Sequence, residues 1–180
     1  GSILGCPPSN RADSGAAHRG KYENQAWGYS VIIPEGLVGC GEADPAPAHG
    51  IRMKMEAGAE WYLWTDGASA LGETLQEEVG MRLEALTASH PILRGLERHR
   101  TTLGGLPADR IVGRYTEREG QHVLVDDMIV AFRERSEGEP PVAYTIGLHT
   151  TEELYEKQGS LLEAVAVTFE VERGRGLSKE

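Results

Sequence analysis

The chain has 180 residues, with 18 Lys+Arg against 28 Asp+Glu for a formal charge of −10, and it is 39% hydrophobic and 26% charged. That length suits one domain with a core of its own, and the composition is that of a globular chain, not a disordered one. The acidic balance argues against a nucleic-acid clamp or a protein drawn to anionic lipid; no run reaches the ~18 apolar residues of a membrane span, and two cysteines cannot staple a disulfide-rich scaffold.

Residues 1–26 read as a flexible leader or tether, rich in Gly, Pro, Ser and Ala and without apolar periodicity. Within it, Ile3-Leu4-Gly5-Cys6 resembles the end of a bacterial lipoprotein signal, in which the Cys becomes a lipid anchor. Cys6 has a second reading as half of a disulfide with Cys40, and the two exclude each other. The folded unit is expected over 27–170 as a single domain, with a charged tail over 171–180.

The first strand runs from Trp27 to Ile33 and stops at Pro34. Glu35 to Gly50, punctuated by Gly and Pro, reads as loop. Ile51 to Met55 alternates with period two, and Trp61 to Thr65 is a third strand, closed by Asp66-Gly67. Leu71, Leu75, Val79, Leu83 and Leu86 recur at steps of four or three and predict a helix, started by Ser69 or Asp66 and ended by His90-Pro91. Strands follow over Leu96 to Leu103, Ala108 to Thr116, Gln121 to Arg133 and Val142 to Leu148, with Gly104-Gly105 and Gly120 in the turns. Thr150 with Glu153, and Ser160 with Glu163, have capping-box spacing and predict two helical pieces around Gly159. The predicted order is β-β-β-α-β-β-β-β-α, an α+β fold in which an antiparallel sheet is flanked by helices.

Tyr29-Ser-Val-Ile-Ile-Pro34, the Gly-Gly-Leu-Pro-Ala of 104–108 before a long hairpin, and Leu161-Leu-Glu-Ala-Val-Ala-Val-Thr-Phe169 together resemble the PsbP-like fold, which includes the bacterial DcrB-type proteins and related small lipoproteins. The resemblance spans about Trp27 to Glu170. It implies no catalysis; such folds serve mostly as binding, assembly or accessory modules, many outside the cytoplasm.

No catalytic motif is present, and neither a metal nor a cofactor is expected: the six histidines make no i,i+4 pair, and no Cys-x-x-Cys or Gly-x-Ser-x-Gly occurs. Cys40, between glycines, reads as a loop thiol or half of a disulfide in preference to a nucleophile. Asp126-Asp127 interrupts an apolar strand. Adjacent strand residues face opposite sides, so one carboxylate must enter an apolar face, and Arg110 and Arg114 are its expected partners. Trp61 and Trp64 occupy a short aromatic strand, one side of which is expected to meet the core and the other a partner or a second helix layer.

These features predict a non-enzymatic accessory or binding protein of a bacterial envelope or periplasm, acting on a protein partner, with an immunity or adaptor role suited to a small acidic domain. The partner or ligand contacts expected are Trp61, Trp64, Asp126, Asp127, Arg110 and Arg114, and membrane contact comes only through a lipid anchor at Cys6. The alternative is a small-molecule or lipid carrier with a pocket between sheet and helix. A hydrolase using Cys40 or the Asp126-Asp127 pair ranks third.

Overall fold

The computed structural model describes residues 17–41, 49–55, 61–89 and 92–172. Alternation along Val142, Tyr144, Ile146 and Leu148 sets one face of the sheet: all four are at most 3% exposed. They belong to β10 (Val142–Thr151), which lies inside an eight-stranded sheet. Its other strands are β1 (Ala17–His18), β4 (Leu37–Gly41), β5 (Ile51–Met55), β6 (Tyr62–Ser69), β7 (Ile92–Leu103), β8 (Leu106–Thr116) and β9 (Leu124–Arg133). The spatial order is β1-β4-β5-β6-β10-β9-β8-β7, antiparallel throughout. A three-stranded sheet pairs β2 (Lys21–Asn24) and β11 (Glu170–Val171) with the two sides of β3 (Tyr29–Ile32).

The main core lies between the large sheet and a layer made of the small sheet, α2 (Glu152–Gln158) and α3 (Ser160–Ala166). Tyr29 stacks on Phe169 at 5.1 Å between ring centres, and Tyr144 meets both rings edge-on. On the opposite face α1 (Leu75–Ser89) buries Val79 and Leu86 against Ile111 of β8 and Val130 of β9. The α+β class and the antiparallel sheet are as the sequence reading has them.

Several elements differ from expectation. Ala17–His18 and Lys21–Asn24, assigned to the leader, are strands: the first pairs with β4, and the second pairs with β3 and buries Tyr22 and Asn24. Leu37–Gly41, expected as loop, is strand β4. Gly39 is there for room: a Cβ on it would lie 2.8 Å from Ile51 Cδ1. The aromatic strand does not stop at Asp66-Gly67 but continues to Ser69, where Gly67 admits the Trp27 and Tyr29 side chains. The first helix starts at Leu75, and Leu71 is 80% exposed. Thr74, not Ser69 or Asp66, accepts from the Glu77 amide at the start. The cap of α2 is Thr151, whose Oγ1 accepts from Leu154 N at 3.3 Å, and α3 has no side-chain cap. The observed order therefore adds β1, β2, β4 and β11 to the expected one.

Candidate functional site

Strand alternation separates Asp126 from Asp127, as the sequence requires. Asp127 faces α2 and α3 and is fully buried. Arg110 stands diagonally across on β8, opposite Ile129. Its Nε and Nη2 donate to Asp127 Oδ1 and Oδ2 at 2.9 and 2.6 Å, a two-pronged pairing that fits a planar guanidinium to a carboxylate. The Tyr155 hydroxyl donates a third bond to Oδ2 at 2.8 Å. Burial, and then this bond to Asp127, push the Tyr155 phenol up to about 12. The bonds to Asp127 raise the Arg110 pKa above its ordinary value.

Arg110 Nη1 points the other way, to Glu163 Oε1 of α3 at 3.3 Å. There the network opens into a groove of about 690 Å³ between the β7–β8 hairpin, α3 and β11. Thr101, Gly104, Arg110, Glu163, Val167 and Phe169 are among its walls. Val167, which also lines it, is 81% exposed. Gly104 and Gly105 both have positive φ (60° and 82°), and a Cβ on Gly104 would meet Val171 Cγ2 at 2.9 Å, so the turn lies tight against β11.

Arg114, expected beside Asp127, is on the same face but pairs with Glu97 at 2.8 Å and Glu152 at 3.4 Å, and its guanidinium lies over the Tyr155 ring. The Glu97 carboxyl is held below its usual pKa chiefly by the hydrogen bond from Arg114.

Asp126 points to the other face. Its Oδ1 lies 2.6 Å from His149 Nδ1, and the Tyr115 hydroxyl is also bonded to it. The His149 ring meets Tyr62, over which Arg52 stacks at 4.7 Å from the ring centre. Trp64 lies against Gly147 on this face, half-buried, whereas Trp61 is buried in the main core. A carboxylate and a histidine thus converge, but across the sheet from the groove, so the two do not form one site. Among the described residues no group of three or more His, Cys, Asp or Glu side chains could hold a metal. Cys40 is disulfide-bonded; the sequence's other cysteine, Cys6, lies outside the described residues.

No family model matches the sequence, and no curated protein matches it. Solved structures do match the fold. The cyanobacterial PsbP (CyanoP) of Synechocystis sp. PCC 6803 superposes with a TM-score of 0.58 at 19% identity, over 94% of this chain and 99% of that one. The fold is PsbP-like. LpqN, described as involved in cell envelope biogenesis of Mycobacterium tuberculosis, gives a TM-score of 0.53 at 10% identity, over 89% of this chain and 94% of its own. A mutant of the protein Mog1 gives 0.52 at 14% identity, over 86% and 96%.

Within this PsbP-like fold the six expected contact residues do not gather. Asp127 and Arg110 join, Arg114 lies nearby with other partners, Asp126 and Trp64 are across the sheet, and Trp61 is core. Sequence reasoning missed Tyr155, Glu163 and His149. The register of β9 on β10 places His149 directly opposite Asp126, a pairing that appears only once the strands are aligned.

Proposed function

We propose that this chain is a non-enzymatic binding or accessory protein that acts by protein–protein contact, with the groove beside Arg110 as its contact surface. The observation that carries this is the form of that groove. It is open, mixes polar with apolar walls, and includes the exposed Val167 among them. A carrier of lipid or another apolar molecule calls for an enclosed apolar cavity instead.

A bacterial envelope location, and an adaptor or immunity role there, belong to the same proposal. The disulfide at Cys40 fits an oxidising compartment. The envelope role printed for LpqN is that protein's own and supports the location by analogy of fold alone. An anchor at Cys6 competes with a disulfide at the same sulfur, and the intact mass of the natively produced chain decides between them.

A photo-crosslinker placed at Val167 in native cells tests the contact surface. One discrete protein adduct is expected there, absent with the same group at Glu84 on α1. A bound lipid recovered with the purified native protein, and no adduct at Val167, would move the function to the carrier alternative.

A further inference from the structure

Resting on the groove as contact surface, we infer that its occupant is an extended protein segment carrying a Lys or Arg next to an apolar side chain. The charge at this end of the fold decides the sign. Arg110 lines the groove, yet its charge is matched from beneath by fully buried Asp127. Glu163, whose side chain is 65% exposed, and Glu170 line the same groove. Alongside, Arg114 is shared by Glu97 and Glu152. Arg110 therefore stands against Asp127, Glu163 and Glu170, an excess of two negative charges at the groove of an already acidic chain. Such a field favours and steers a basic partner.

The position of one carboxylate is set in advance. Arg110 is pinned by Asp127 on its Nε–Nη2 edge, and its Nη1 holds Glu163 over the groove. An arriving ammonium or guanidinium would find Glu163 already oriented, with less side-chain entropy left to lose. The apolar half of the recognition falls to Val167, Phe169, Leu103 and Val171, which line the groove beside the two glutamates. A segment running along the groove would set its cation toward Glu163 and Glu170 and a nearby apolar side chain on Val167.

The test uses the full chain labelled with nitrogen-15 and two capped five-residue peptides, Gly-Val-Lys-Val-Gly and Gly-Val-Glu-Val-Gly, titrated to millimolar. The lysine peptide is expected to shift amides of Thr101 to Gly105 and Glu163 to Val171, and to do so less as salt rises. The double variant Glu163→Gln, Glu170→Gln keeps a dispersed spectrum and weakens that binding about three- to tenfold, the range for two exposed ion pairs. Equal or tighter binding of the glutamate peptide in the groove overturns the inference while leaving the groove as contact surface. Absence of groove shifts with both peptides also overturns it, and crosslinking at Val167 then decides the contact surface by itself.

Discussion

Arg110 grips Asp127 across one strand-to-strand diagonal, with Nε–Oδ1 and Nη2–Oδ2 distances of 2.9 and 2.6 Å, and the carboxylate between them and Tyr155 is closed to water. A buried ion pair of this kind is worth little against an apolar pair of equal volume, but breaking it from one side strands a charge. Asp127→Ala is therefore expected to destabilise the fold by about 3 kcal/mol, near the low end for a broken buried pair because Arg110 retains Glu163 and some solvent. The double change Arg110→Met, Asp127→Leu should recover most of that loss. Urea unfolding of Arg110→Met, of Asp127→Leu and of the double closes the cycle; simple additivity would show that the two residues are not coupled.

Tyr155 gives the same network a signature at alkaline pH. Its phenol titrates near 12 in the folded state against about 10 unfolded. A raised folded pKa means that the native state keeps its proton longer, so this contribution is complete below pH 10 and lost as pH rises from 10 through 12. Tyr29, Tyr115 and Tyr144 are also raised, mainly by burial, and add to the same loss. The share of Tyr155 is isolated by difference. Tyr155→Phe should lose stability less steeply than the parent between pH 10 and 12, as measured by denaturation at each pH. Parallel curves would remove Tyr155 from the account.

Gly147 is where the sheet admits an indole. A Cβ there would lie 2.4 Å from Trp64 Cε2 and 2.5 Å from its Nε1, closer than any real contact. Gly147→Ala must push Trp64 off the strand, at about 1–3 kcal/mol for overpacking. The emission of Trp64 should shift to the red as its ring moves toward water, with Trp27 and Trp61 replaced by Phe to isolate it. Pairing Gly147→Ala with Trp64→Leu should restore stability to that of Trp64→Leu alone.

The parts of this fold legible in the sequence were those whose signal is local. Val142 to Leu148 and Leu161 to Phe169 carry their periodicity in their own residues, and both pack as that pattern demands. The separation of Asp126 from Asp127 also follows from one strand's pleat. Strand β4 was hidden because Gly39 and Gly41 look like punctuation; the tight approach of Ile33 and Ile51 that requires Gly39 comes from distant chain. Strands β1, β2 and β11 are two to four residues long and exist only through their partners β4 and β3. The groove was illegible for the same reason. Arg110, Glu163 and Val171 come from three elements, and Glu163 in sequence reads as half of a capping box with Ser160, not as part of a groove.

Glu78 shows how a buried carboxylate can serve the fold without marking a site. It is 3% exposed, and its Oε1 accepts from the amides of Leu71 and Gly72 at 2.8 and 3.0 Å. Its Oε2 lies 3.4 Å from Arg82 Nε, and Arg82 in turn donates to Thr145 on β10 at 3.0 Å. One side chain thus folds the segment before α1 back onto the helix and links the helix to the sheet. Glu78→Ala would leave two amides and part of a guanidinium without their acceptor, a loss of about 1–3 kcal/mol for groups left unsatisfied. Glu78→Gln retains an acceptor oxygen for the amides and should cost less. Hydrogen exchange at Leu71 and Gly72 separates this from a general loss of packing: both amides should lose protection in Glu78→Ala under conditions where Val79 and Leu86 keep theirs. Equal loss at all four positions would mean that Glu78 acts by filling space and not by holding those two amides.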